Sequence, residues 1–424
     1  MRWPTAATSD SGSQCARLHQ WLSHQDALPE AYGRRATHSS DPTTETASDR
    51  WGYYQSSCST QAAKLRHAKR PLFWLESTDV ATTRAIFDLA KQCSGTIHIA
   101  ESPGARNVAA ITSTSGWSGT TLAEVHRRAD TIVHVGDSHL HDMPRLFSRF
   151  LTSADQPDHS NRKHWFVGRS SSELVSSDTS APSTNEVVEL SWPRDQWLDL
   201  FTQLLCMLRE PQASLRLPKS RCNEAQLVSF ADQLTSSEYV VFVWPEDEFS
   251  DELDRLVVQR LLELSQLLSQ SRRCSLLPLS SDAGRITSRE ALLWLTNVTP
   301  SARYVAGQWV KPQLGNPHTL SDWEDQFDWI MCVRTLPSDR PLPDLRCDWT
   351  LDAACNCSRG QLAFTPSNDC LPVATLGVDG SGHLMRLDHG FVAHIPAALS
   401  PSLWPTAGEV LTELARQFHV GATP

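Results

Sequence analysis

The feature that most constrains this chain is a repeated exchange of two hydrophobic periods. Apolar runs too short for helices alternate with stretches of helical spacing. PLFWLES (71–77) is bounded by Pro71 and the polar Ser77–Thr78–Asp79, and reads as a buried strand. Thr78 to Gln92 then places Val80, Ile86, Phe87, Leu89 and Ala90 on one side of a helix. Ser77, Thr78 or Asp79 can cap its start, and Gly95 stops it. Thr96 to Ala100 alternates as a second strand. This is a β-α-β unit, whose crossover is right-handed in nearly all proteins.

The exchange continues along the chain. Thr121–Arg128 is helical, TIVHVGD (131–137) a strand, Arg145–Leu151 a helix fragment and WFVG (165–168) a strand. VVELSW (187–192) and Arg194–Arg209 add another strand and helix. A Pro-rich polar stretch, 210–224, suggests a boundary. Beyond it the order is helix Glu224–Thr235, strand YVVFVWP (239–245), helix Asp251–Gln270, strand CSLLPL (274–279), helix Ser288–Leu295 and strand WIMCVR (329–334). DWTLDAA and CLPVATLG read as late strands, and 408–418 as a terminal amphipathic helix. Such alternation predicts an α/β fold with parallel sheets and helices on both faces.

At 424 residues the chain exceeds what one core usually holds, about 250–300 residues. The expected division is an irregular N-terminal segment (1–65), a first α/β domain (66–215), a second (216–340) and a C-terminal segment completing the core (341–424). Within 1–65, WGYYQSSC (51–58) reads as a small aromatic knot; the ordered body begins at Gln61, with 61–70 helical in composition. The net charge of −10 makes nucleic acid a poor partner. No apolar run spans a bilayer, and the N-terminus lacks a secretory h-region, so a cytoplasmic location is expected and no membrane partner. The 11 cysteines form no C-x-x-C pair, and Cys355-x-Cys357 is the closest spacing. They read as reduced thiols rather than a zinc or iron–sulfur site.

No Walker loop, G-x-G-x-x-G, G-x-S-x-G or H-E-x-x-H is present. Candidate chemistry is therefore sought at strand ends, where open α/β sheets bind ligands. One place is Glu101–Ser102–Pro103–Gly104, where a Pro-Gly turn would expose amides to an anion. The other runs from Asp137 through His139 and His141 to Asp142. Those side chains are metal-ligand types, but no third ligand is identifiable, so a polar loop is the expectation. Arg145 and Arg149, four apart on a helix, share a face that suits a phosphate, a carboxylate or an ordinary surface ion pair. The acidic run EDEFSDELD (246–254) reads as a solvated helix start. Trp is over-used, with 15 residues, which raises a partner chain as an alternative to core packing.

Residues 71–97 and 116–150 together are similar to the B subunit of formylmethanofuran dehydrogenase. That family reads G-x-x-x-x-T-L-G-E-V-x-x-R-A-D, a strand, W-G-x-N-P and H-P-R-H-x-S-R. Thr121, Leu122, Glu124, Val125, Arg128, Ala129 and Asp130 match, as do Gly136, Pro144, Arg145, Ser148 and Arg149. LPVATLGVDGSGHLMRLDHGFV (371–392) resembles the family's apolar strand, Gly-rich turn and R-M-D stretch, through Arg386, Leu387 and Asp388. The likeness runs in outline through 277–296 and covers roughly 62–400.

The resemblance implies parallel-sheet domains of the molybdopterin-oxidoreductase type. It also implies that the metal-pterin and iron–sulfur sites are lost here. The family's N-terminal cysteine cluster is missing, and its S-V-C-H-G-P-S loop corresponds to Ala100–Gly104, without the metal-ligating Cys. Glu101, Ser102, Pro103 and Gly104 would mark the vestigial site, with Asp137, His139, Arg145 and Arg149 nearby. No catalytic residue, cofactor or metal is expected. These losses resemble the B subunit of the bacterial formyltransferase/hydrolase complex of one-carbon (formaldehyde) oxidation, which converts formyl-tetrahydromethanopterin to formate through a methanofuran-type carrier. The implied partners are a zinc amidohydrolase-like subunit, a formyltransferase subunit and a glutamate-synthase-like small subunit, and this chain would be a non-redox scaffold. Two alternatives stay open: a formylmethanofuran dehydrogenase catalytic subunit with an atypical metal site, and a small-molecule binding module.

Overall fold

A computed structural model describes residues 47–136, 143, 146, 162–168, 186–210, 224–280, 282–312, 326–336, 347–353, 370–388, 390–398 and 404–420. Helix α1 (Ala47–His67) leads to β1 (Pro71–Ser77), α2 (Val80–Cys93) and β2 (Thr96–Ile99). The chain passes through α3 (Pro103–Ser115), α4 (Leu122–Arg128), β3 (Thr131–Val135), β4 (Lys163–Val167) and β5 (Glu186–Leu190). Then come α5 (Trp197–Arg209), α6 (Glu224–Ser236), β6 (Tyr239–Pro245), α7 (Asp254–Leu268) and β7 (Arg273–Leu279). Helix α8 (Ala283–Thr296) precedes β8 (Ser301–Val305), β9 (Gln308–Val310), β10 (Trp329–Arg334), β11 (Trp349–Asp352) and β12 (Cys370–Pro372). The pair β13 (Gly382–Met385) and β14 (Val392–Ile395) and helix α9 (Ala407–Val420) follow.

The described residues divide into two compact units, 102–280 in one and 47–101 with 282–420 in the other. This differs from the expected succession 66–215, 216–340, 341–424. The reason is pairing: β1 lies between β2 and β10 in one sheet, so strands far apart in sequence share a unit. The unit of the seven-stranded sheet is thus split in sequence, and residues 102–280 are carried between its halves.

The unit of 102–280 holds a five-stranded parallel sheet in the order β5-β4-β3-β6-β7. The inner strands β3 and β6 carry apolar residues on both sides, because both faces are covered, whereas the edge strand β5 keeps Glu186 and Glu189. Val133, Val135, Trp165, Val167, Phe242 and Trp244 pack on one face with α5, α6 and α7. Ile132, Val241, Val243 and Leu277 pack on the other with Leu122 and Val125 of α4. The second unit has the order β12-β11-β10-β1-β2-β8-β9, parallel as far as β2, with β8 and β9 antiparallel. Phe73, Leu75, Ile97, Met331 and Val333 meet α1, α2 and α9 on one face, and Leu72, Trp74, Ile330 and Cys332 form the other. The α/β class with parallel sheets is therefore as expected.

Three local readings change. Residues 47–65 are helical in α1 rather than irregular or knotted. Tyr54, Cys58, Ala62 and Leu65 recur at near-helical spacing, all at most 1% exposed, and this stripe packs on the core that α9 also covers. Helix α2 ends on Ser94 in the left-handed conformation (φ 55), and Gly95 instead gives room to the Phe73 ring, which a Cβ would meet at 2.7 Å. Pro103–Gly104 is not a turn but the first turn of α3: Ser102 Oγ accepts from the Ala105 amide at 3.2 Å, and Pro103 needs no donor there.

Among the described residues no helix is long and apolar enough to cross a membrane. The described tryptophans are mostly core. Trp165, Trp192, Trp244 and Trp329 are at most 5% exposed, Trp309 stacks on Phe87 with ring centroids 5.1 Å apart, and Trp294 is 61% exposed.

Candidate functional site

The strand order of the larger sheet reverses between β1 and β10, and the carboxyl ends of such strands are where α/β folds place ligands. Here those ends carry charge. β1 ends at Glu76–Ser77, β10 at Arg334, β11 at Asp352, and Glu101 follows β2. Arg334 and Asp352 form a two-pronged pair, Nε to Oδ1 and Nη2 to Oδ2, both 2.8 Å. Helix α8 supplies two more guanidiniums. Arg285 Nη2 lies 3.5 Å from Glu76 Oε2, and its Nε lies 3.4 Å from Asp282 Oδ2. Arg289, four residues on and so on the same face, reaches Glu101 Oε1 and Glu290 Oε1 at 3.6 Å each. Glu76 Oε1 also accepts from the Trp74 indole at 2.7 Å.

Burying these charges costs several kcal/mol per ion unless a partner is held beside each one. The geometry meets that condition pair by pair. Burial works against the Arg334 charge, but its hydrogen bonds to Asp352 and that carboxylate's charge hold the guanidinium above its ordinary pKa. The same field acts on Cys332, one strand residue pair away. A hydrogen bond with Cys347, burial, and the charges of Glu76 and Asp352 push its thiol well above the usual value. Among the described residues no group of three His, Cys, Asp or Glu is placed to hold a metal ion.

Of the residues singled out in the sequence, Glu101 and Ser102 are buried at 8% and 6% exposure, the first in an ion pair and the second as a helix cap. Gly104 lies in the first turn of α3. It presses on the Glu246 backbone carbonyl, where a Cβ would collide with the oxygen. Glu246–Phe249 is a 3-10 turn after β6, and Asn107 donates to the Phe249 and Asp251 carbonyls at 2.8 and 2.9 Å. The acidic run therefore packs on α3 instead of opening the following helix, which starts at Asp254. At the reversal point of the five-stranded sheet, between β3 and β6, Gly136 (φ 74) meets the Glu248 side chain. Arg194 pairs there with Glu248 at 3.2 Å and Asp254 at 2.8 Å. Asp137, His139, Arg145, Arg149 and Cys355–Cys357 lie outside the described residues.

Sequence reasoning missed Glu76, Arg285, Arg289, Arg334 and Asp352. Their signal was present: Glu76, Arg334 and Asp352 each close an apolar strand run with a charge, and Arg285 and Arg289 are spaced to share a helix face.

The class that fold and site define is an α/β protein of two parallel-sheet units with ion-paired strand ends. Such a fold is shared with a chain in the X-ray crystal structure of the formyltransferase/hydrolase complex FhcABCD from Methylorubrum extorquens, in complex with methylofuran. The TM-score is 0.66 and the identity 19%, over 88% of this chain and 97% of that chain. No protein-family profile and no curated protein matches the chain.

Proposed function

We propose that this chain is a non-redox scaffold subunit, of the B type, in a formyltransferase/hydrolase complex of one-carbon metabolism. In that reading the complex moves a formyl group from formyl-tetrahydromethanopterin to a methanofuran-type carrier and releases formate. A formyltransferase subunit, a zinc amidohydrolase-like subunit and a glutamate-synthase-like small subunit do the chemistry and the bridging around this chain.

The observation that carries the reading is the Glu101–Arg289 pair. The motif resemblance puts Glu101 in the loop where relatives keep a metal-ligating cysteine. Here that loop carries a buried carboxylate already held by a guanidinium. A pterin phosphate arriving at the same strand ends would have to displace carboxylates from Arg285, Arg289 and Arg334, at the cost of leaving those carboxylates buried and unpaired. The shared fold with a chain of a complex crystallised with methylofuran supports the one-carbon setting.

The test is co-purification of the tagged full chain from its native cells, with partners identified by mass spectrometry and molybdenum and tungsten measured in the complex. The expected result is three further subunit types and neither metal. One heavy metal per chain, or a chain that elutes alone, would overturn it.

A further inference from the structure

We propose that the second unit contains an oxyanion site that selects an anion carrying its own proton, hydrogen phosphate or a phosphomonoester, over sulfate. A cavity of about 180 Å³ lies where the first turns of α2 and α9 and the β13–β14 pair meet. Six groups define its chemistry. The amides of Ala407 and Gly408 are first-turn donors of α9, which their own helix cannot satisfy. The next amide, Glu409, is already taken by Thr406 Oγ1 at 3.3 Å. Thr82 is 2% exposed, lines the cavity, and its hydroxyl has no hydrogen-bond partner among the described residues. A ligand oxygen in the cavity could accept from that hydroxyl or donate to it. His383 and His394 face each other across β13 and β14, with rings 5.1 Å apart, and line the exposed side. These donors, with the partial positive charge of a helix start, describe an anion site.

Asp79 makes the site selective. Its carboxylate is 5% exposed and lines the same cavity. It accepts from the amides of Thr82 and Ala81 at 3.1 and 3.3 Å, and each oxygen keeps a further lone pair. A fully deprotonated oxyanion such as sulfate would set lone pairs against that carboxylate. Hydrogen phosphate can donate its P–OH to it. The room is real: a Cβ built at Gly408 meets nothing closer than Ala81 Cβ, Thr406 Oγ1 and the Thr82 amide, each at 4.0 Å. Nothing in this inference depends on the scaffold reading.

The experiment is calorimetric titration of the purified full chain with inorganic phosphate, a small phosphomonoester and sulfate at matched ionic strength. Phosphate or its ester is expected to bind about tenfold or more tighter than sulfate, the worth of one hydrogen bond exchanged for a repulsion. Tighter binding of the ester assigns the site to esterified phosphate, and tighter binding of the free ion to phosphate itself. Gly408→Val, which fills the cavity, should abolish the heat. Asp79→Asn keeps a good helix cap and should raise sulfate affinity until the preference is lost. Unchanged melting of both variants separates this from unfolding. Equal affinity for phosphate and sulfate (an adventitious ion only), no heat with either phosphate, or wild-type binding by the Gly408→Val variant would each overturn the proposal.

Discussion

Arg162 illustrates how this molecule uses charge at single positions. Its side chain is fully buried beside α4, donating from Nε to the Ala129 carbonyl at 2.7 Å and from Nη2 to the Val125 and His126 carbonyls at 3.3 and 2.8 Å. It closes the carbonyl end of a short helix that has few residues to do so itself. Burial lowers its pKa to about 10, so it stays charged at neutral pH. Arg162→Met should leave those carbonyls buried without donors and lower stability by roughly 2–4 kcal/mol, read from urea unfolding. Gly104 is a steric counterpart. Gly104→Ala drives a methyl into the Glu246 carbonyl, and the expected loss of about 1–3 kcal/mol is measured the same way. Glu101→Gln tests the strand-end cluster: it removes the Glu101 charge beside Arg289, and a loss of about 3 kcal/mol is expected.

At the scale of elements, α9 shows how a terminal helix is held. Val410, Leu411 and Leu414 are fully buried in the core that Tyr54, Cys58 and Ala62 of α1 also enter. Glu413 sits among them, accepting from Arg416 Nη2 at 2.6 Å and from Gln417 at 2.8 Å. Those hydrogen bonds, Arg416 first, hold its carboxyl below the usual carboxylate range. A depressed carboxyl stabilises above its unfolded pKa and loses that contribution as pH falls through its folded pKa. Glu413→Gln should therefore flatten the fall of stability between neutral and acid pH, followed by urea midpoints across that range. Elements of this kind were legible to different degrees. PLFWLES, YVVFVWP and WIMCVR were read to the residue, because an apolar run closed by Pro or by a charge has one interpretation. Helix α1 was not, since its stripe of Tyr54, Cys58, Ala62 and Leu65 is diluted by Ser and Gln and acquires meaning only against α9. The β8–β9 pair was missed because Ala306–Gly307, both at positive φ, is a weaker turn signal than Asn-Gly. The charges of the ion-paired site stand out one by one, but their partnership does not: Glu76 and Arg285 are 209 residues apart. Only the pairing of β1 with β10 and the placing of α8 brings such partners together.

For the whole molecule, the described residues of one compact unit all fall within 102–280. Residues 102–281 alone should make a cooperative domain, since their sheet borrows no strand from outside. A polypeptide of those residues should give a single sharp melting transition with dispersed amide resonances. A broad, non-cooperative transition would contradict that division.

The other sheet implies a timetable for synthesis. Its central ladder joins Pro71 to Trp329 and Leu72 to Ile330, so β1 leaves the ribosome long before its neighbour exists. The inserted unit can mature in that interval, while Phe73, Leu75 and Ile97 wait for half of their cover. Closing so long a loop last makes that step the slow one, and the interval is when a nascent chain of this design most needs a chaperone.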